Sequence, residues 1–321
     1  MQQQTFTRRR GGSSLHAEET LGGAMRIGTA EQDSTFLTQG RALRTVLERS
    51  GVGGPVEILL SPSASIDNAN RLHKGELEFG FMAANWIGRA RQGRPPFSAP
   101  VDLRMVTPMN VGPLYFIALS DSGLESVTDL LGRRVAVGAR TSGMAQHAQS
   151  MFETLGWNDQ DITAVYLDLA AGAQALASGA VDAQLQCPPP NKVMAELTAR
   201  TPVKVLSWPA DQLDRLLTAV PVYRLTKMLR GALRGLDHDV TQPAVLNVLV
   251  THARVDEGLV RDVVRAVASG AAELERLNPL FTGMSELFEP LKTRGPAAFE
   301  IGGVPLHPGA LRGYHEAGML R

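Results

Sequence analysis

The chain has one cysteine, Cys187, in 321 residues, which excludes internal disulfides and a cysteine-built metal site. Aromatic residues make up only 5% and form no stripe with basic ones, so the stacking platforms of nucleic-acid binders are missing. Neither sign of charge predominates: 32 Lys and Arg offset 32 Asp and Glu, leaving no broad footprint for nucleic acid or an anionic membrane. A run of about 18 apolar residues, the minimum for a membrane span, is also lacking, so direct membrane insertion is not expected. Residues 1–24 (MQQQTFTRRRGGSSLHAEETLGGA) hold three arginines but no apolar segment behind them. They are expected to be disordered, and the chain as written carries no visible export signal.

What is present is the make-up of a globular protein, 44% hydrophobic and 20% charged, long enough for one large domain or two lobes. From Met25 onward, short apolar strands alternate with helical stretches. Strands are expected near 26–29, 56–60, 78–82, 103–107, 114–119, 134–137, 164–167, 183–186, 203–206 and 245–251. Helical periodicity fits 36–49, 65–73, 143–155, 172–177 and 256–277. The alternation predicts an α/β fold with mostly parallel sheets.

An internal repeat carries the most information. RIGTAEQDSTFLTQGRALRTVLERSG followed by VEILLSPSASIDNANRLHKGELEFGFM has the same order of parts as RVAVGARTSGMAQHAQSMFETLGW followed by ITAVYLDLAAGAQALASGAVDAQLQ. Each runs strand, hydroxyl-bearing loop, helix, strand, small-residue loop, helix. Each closes on Leu-x-x-Gly-x-x-acid, at Leu72–Glu78 and Leu176–Asp182. The glycine fits a helix C′ position and the acid is expected to open the strand turn.

Two like lobes in one chain predict a clamshell, with ligand held at the carboxyl ends of the strands. Four loops then face each other: Glu31–Thr35, Ser61–Ser65, Ala139–Gly143 and Asp168–Ala171. Their small, hydroxyl-rich composition is that of a polar-ligand clamp.

The chain also resembles the TAXI family of extracytoplasmic solute receptors that serve TRAP-type transporters, over about residues 25–321. The resemblance rests on Ser126–Gly138 (SVTDLLGRRVAVG), Ser142 and Gly143, Val165–Asp168 (VYLD), Leu176–Asp182 (LASGAVD), and Pro305–Ala310 (PLHPGA) followed by Tyr314. The loop before Asn68, with Leu72, Gly75 and Glu78 after it, matches as well. The resemblance implies a two-lobed type II periplasmic-binding-protein fold with two crossover strands, Leu114–Leu119 and Val245–Thr251. Lobe one then comprises 25–116 and 246–321, and lobe two 117–245. It further implies a TRAP membrane subunit as partner, an extracytoplasmic location, and an amino acid or organic acid as ligand. One departure stands out. The family's Gly-rich, aromatic first loop is here Ala30–Leu37 (AEQDSTFL), without glycines and with Phe36 alone of the aromatic pair.

The candidate ligand contacts are Thr35, Phe36, Ser63, Ala64, Ser65, Asn85, Trp86, Thr141, Ser142, Gly143, Met144, Asp168 and Gln186. Several have a plain structural alternative. Thr141 and Ser142 either cap the helix or hold a ligand carboxylate, and Ser65 is expected to cap the next helix of lobe one. Arg140 either assists them or faces solvent. Trp86 either walls the pocket or packs beneath the loop before Pro95 and Pro96. Asp168 either receives an amine or caps a helix.

No catalytic residue, metal or cofactor is expected. Cys187 has no neighbouring His in sequence. His73, His147, His238, His252, His307 and His315 show no metal-ligand spacing, and His307 is assigned to packing. Gly51–Gly54 (GVGG) follows a helix and precedes a strand, the reverse of a dinucleotide fingerprint. The expected function is capture of a small polar, anionic molecule without chemistry. The alternative is a cytosolic enzyme or ligand sensor on the same clamshell, with Asp33, Asp168 and Cys187 as its only candidate groups.

Overall fold

A computed structural model describes residues 23–320 except 33, 159, 141 and 221. The expectations placed on residues 1–22, Asp33 and Thr141 therefore lie outside the described residues. The first half of the chain runs β1 (Met25–Gly28), α1 (Thr35–Arg49), β2 (Val56–Leu59), α2 (Ser65–Lys74), β3 (Phe79–Ala83), α3 (Ala84–Gln92), β4 (Leu103–Pro113) and β5 (Tyr115–Leu119). The second run is β6 (Arg134–Ala136), α4 (Gly143–Leu155), β7 (Thr163–Val165), α5 (Leu169–Ala177), β8 (Ala183–Gln186), α6 (Lys192–Arg200), β9 (Val203–Val205) and α7 (Ala210–Ala219). A hairpin of β10 (Tyr223–Met228) and β11 (Val240–His252) precedes α8 (Glu257–Ser269), α9 (Ala271–Leu277), α10 (Glu289–Arg294) and α11 (Pro308–Glu316).

Two separate sheets result. In the first, β1 lies between β2 and β3, parallel to both, and β11 pairs antiparallel with β3. In the second, β6 lies between β7 and β8, parallel to both, and β5 pairs antiparallel with β8. The strand orders β2-β1-β3-β11 and β7-β6-β8-β5 are the same pattern built twice. This is the two-lobed α/β architecture the repeat predicts. Long strands β4 and β11 run antiparallel beside each other from Leu103 opposite His252 to Pro113 opposite Ala244. The chain leaves the first sheet at Leu114, between β4 and β5, and returns to it in β10 and β11.

The acid that closes each repeat works differently from the expected turn. In lobe one, the Arg26 backbone N–H and Nη2 donate to the two Glu78 carboxylate oxygens at 2.7 Å each, and Nη2 also donates to Gly75 O at 2.9 Å. In lobe two, Arg134 makes the same bonds to Asp182 at 2.8 Å each and to Gly179 O at 2.9 Å. The arginine holds the Asp182 carboxyl below its ordinary range. Each clamp ties the start of the lobe's central strand to the turn before its neighbour, and so fixes their register.

Asn68 ties the other end of the first sheet. It is fully buried, and its Nδ2 donates to Thr29 O at 2.8 Å and Phe81 O at 2.9 Å, bridging the ends of β1 and β3. Only glycine fits at position 28, because a Cβ there would lie 2.2 Å from Asn68 Oδ1.

The helix expected over 256–277 is two, α8 and α9, separated at Gly270, a weak helix former. Helices α3, α6 and α7 and strand β10 carry short or mixed patterns that periodicity passes over. The PLHPGA tail builds the start of α11. His307 is buried and its Nδ1 accepts the Gly309 N–H at 3.1 Å, while a Cβ on Gly309 would meet Glu257 O of α8 at 2.2 Å. Tyr314, also buried, donates its hydroxyl to Val106 O at 3.1 Å, anchoring α11 on β4.

Candidate functional site

Six strands of the two parallel cores run into helices, and the starts of those helices converge on a cavity of about 150 Å3 between the lobes. Lobe one supplies Ala30, Glu31, Ser34, Thr35 and Phe36 after β1, Pro62 to Ser65 after β2, Ala83 at the end of β3 and Trp86 after it. Lobe two supplies Ser142, Gly143, Met144 and His147 after β6, Leu169 after β7, and Cys187, Pro188, Asn191 and Val193 after β8. Leu114, Val245 and Asn247, at the connection between lobes, complete the wall.

Nine of the candidate residues are thus brought to one cavity: Thr35, Phe36, Ser63, Ala64, Ser65, Trp86, Ser142, Gly143 and Met144. Asn85, Asp168 and Gln186 are not on its wall. Asn85 follows Ala84 at the start of α3, with its Oδ1 buried and unpartnered among the described residues. Gln186 is fully buried opposite Tyr115, and neither of its side-chain amide atoms has a partner among the described residues.

Most helix starts here are closed by their own chain. Ser34 Oγ accepts the Leu37 N–H at 3.2 Å and Ser142 Oγ that of Ala145 at 3.2 Å. Asp168 Oδ1 accepts the Ala171 N–H at 2.7 Å, and Asn191 Oδ1 that of Met194 at 2.9 Å. Ser142 and Asp168 are therefore caps. Ser65 is not one, contrary to expectation: α2 opens on Ala64 at a positive φ of 46°, without a side-chain cap. The Ser65 hydroxyl instead accepts the Ala83 N–H at 3.1 Å, joining the α2 start to α3. A positive φ on a residue with a Cβ stores strain at the cavity wall.

Trp86 lines the cavity, and its other contact is with a residue just after Pro95 and Pro96. It packs edge to face on Phe97, with centroids 6.0 Å apart. Its Nε1 also lies 3.2 Å from the point a Cβ on Gly143 would occupy, so the glycine permits lobe two to close against the indole. Arg89 of α3 donates to Gln146 Oε1 of α4 at 3.2 Å across the same seam. Arg140 is exposed to solvent, one of its two readings, and its guanidinium lies over the Tyr166 ring, 3.9 Å from the centroid.

His147 was absent from the sequence-based set. It follows Gly143 by four residues, hence lies on the same helix face, and that spacing was the available signal. Its Nδ1 lies 2.6 Å from the Tyr223 hydroxyl, and burial lowers the imidazole to about 4, so the ring is neutral. Burial likewise pushes the Cys187 thiol up to about 12, the Glu31 charge adding to the effect. The Glu31 carboxyl is raised by burial and then by the Asp168 charge. Asn191, Leu114, Val245 and Asn247 reach the wall only through tertiary folding. Among the described residues no group of His, Cys, Asp and Glu could hold a metal ion, and no helix is long and apolar enough to cross a membrane.

Two α/β lobes of one pattern, joined at paired long strands and enclosing a cavity at the carboxyl ends of both sheets, define the two-lobed periplasmic-binding-protein fold. The chain belongs to the NMT1-like family, whose pattern it matches over residues 27–318. Its fold is similar to that of MatC from Rhodopseudomonas palustris, solved with bound malate, at 16% identity and a TM-score of 0.55 over 80% of this chain and 88% of that one. It is similar also to a structure from work on glutathione import via GshT and the cystine ABC importer TcyBC of Streptococcus mutans. There the identity is 13% and the TM-score 0.51, over 82% and 96% of the two chains.

Proposed function

We propose that the chain is a solute-binding receptor, which closes its lobes on a small polar molecule and delivers it unaltered to a membrane transporter. The observation that carries this reading is the cavity itself. Loops of both lobes and of the connection between them line it, so filling it and closing it are one event. Its ionisable groups suit holding rather than reacting. A nucleophile needs a thiolate and a general base needs a pKa near the working pH, whereas Cys187 is raised to about 12 and His147 lowered to about 4.

In this reading the nine wall residues contact the solute, and the helix starts favour a carboxylate on it through their partial positive charge. Malate, bound in MatC, and glutathione, whose import the second structure's work concerns, are both carboxylates. Within the NMT1-like family, Ser126–Gly138 and the Pro305–Ala310 tail support a TAXI-type receptor that acts outside the cytoplasm with a TRAP membrane subunit. The test is a thermal-shift screen against amino acids, dicarboxylates, keto acids and aromatic acids, followed by recovery of the ligand. A solute present at 100 times its Kd adds about 2.7 kcal/mol to stability. A raised midpoint with unaltered ligand is the expected result, and conversion of the ligand refutes the reading.

A further inference from the structure

The charge of the cleft goes beyond what the receptor reading uses. Among the described residues no Lys or Arg lines the cavity, and Glu31 is the one full charge on its wall. His147, the one titratable nitrogen among the described wall residues, is neutral. Two arginines beside the cleft are engaged, Arg140 on the Tyr166 ring and Arg89 with Gln146. An anionic solute would therefore enter against a like charge. At four of the six helix starts it would also find one N–H, that of Leu37, Ala145, Ala171 or Met194, already taken by Ser34, Ser142, Asp168 or Asn191.

Glu31 keeps an exposed edge at the mouth of the cleft, but the walls around it withdraw enough water to raise its carboxyl. The other charge acting on it is the carboxylate of Asp168, from the opposite lobe. Phe36 and Trp86 add aromatic surface on the same wall, where a cation and its apolar substituents are both accommodated.

We propose that Glu31 is a specificity-determining residue of the cleft and receives a protonated amine, so that the solute is amine-bearing; this rests on the receptor reading above. The amine nitrogen lies against the Glu31 carboxylate, the one full charge on the cavity wall among the described residues. An amino acid and a plain alkylamine share this chemistry, and the experiment separates them.

The test is isothermal titration calorimetry on the full chain with matched probes: L-glutamate against glutarate, L-phenylalanine against 3-phenylpropionate, and putrescine as the amine without a carboxylate. Wild type and Glu31→Gln are compared, with circular dichroism to establish that the variant is folded. The expected result is that a nitrogen-bearing probe binds wild type at least tenfold more tightly than its nitrogen-free partner. Glu31→Gln then weakens that probe by about 10–100-fold, the range for a lost charge-assisted bond, and does not weaken the nitrogen-free partner, whose like-charge repulsion it relieves. Binding of putrescine names a plain amine, and its absence beside glutamate or phenylalanine binding names an amino acid. Equal or tighter binding of the nitrogen-free partners, or a preference that survives Glu31→Gln, overturns the assignment while leaving the receptor standing. No binding by any probe overturns both.

Discussion

Asn68 offers the sharpest test of how the first lobe is held. Its amide donates to the carbonyls of Thr29 and Phe81, and all three residues are fully buried. Asn68→Ala removes both donors and gives nothing back. Each buried acceptor left short costs about 1–3 kcal/mol, but both strands keep their ladder partners, so the loss is expected near about 2–4 kcal/mol. Asn68→Asp is harsher near neutral pH, because a buried carboxylate then faces two carbonyl oxygens. Burial raises that carboxyl in the folded state, so the unfolded chain gives up its proton first as pH rises. The extra penalty therefore grows above the ordinary carboxylate pKa of about 4 and fades below it, where the protonated acid restores one donor. Urea denaturation followed by circular dichroism, with both variants at pH 4 and 7, measures this directly. The midpoint should fall with an unchanged slope. An Asn68→Ala loss below about 0.5 kcal/mol, or an Asn68→Asp deficit independent of pH, would refute the account.

Three further outcomes are expected. Gly143→Leu brings a Cβ to 3.2 Å from the Trp86 indole nitrogen and adds a bulky side chain beyond it, so it should cut affinity for any identified ligand tenfold or more and abolish ligand-induced compaction in small-angle scattering; retention of both counts against the lobe-closure argument. His147 titrates about two and a half units lower folded than unfolded, so stability should be full above pH 6.5 and decline towards pH 4, by about 3 kcal/mol. A His147→Gln variant should lose most of that acid sensitivity in parallel urea titrations, and an unaltered profile would remove His147 as its source. With its thiol raised to about 12, Cys187 should react with iodoacetamide at pH 8 far more slowly than a free thiol, and slower still with ligand bound. Labelling at the rate of a model thiol would contradict the raised pKa.

The repeated strand–loop–helix order was legible because its parts are local: β-branched runs, a hydroxyl before a helix, a glycine after one. The loops that bring Ser63 and Ser142 to one cavity followed from that order. What the local pattern could not carry was partnership. Nothing near Glu78 in sequence marks Arg26 as its partner, 52 residues away, nor does the Leu-x-x-Gly-x-x-acid spacing say that the acid clamps a strand rather than opens a turn. Ser65 reads as a cap because Ser usually is one, and only the approach of β3 redirects its hydroxyl to Ala83. Asn191 lies behind Pro188–Pro190, and Leu114, Val245 and Asn247 reach the wall through the pairing of distant strands.

The Arg26–Glu78 and Arg134–Asp182 clamps stand at the amino ends of their sheets, opposite the loops that meet the solute. Each lobe is thereby fastened at its back and left unfastened at its lip. Substitutions that retune the lip need not disturb strand alignment, so a library confined to 31–36, 62–65 and 142–147 can search for new solutes on an intact frame. A change in either arginine does the reverse, loosening the frame without touching what it holds.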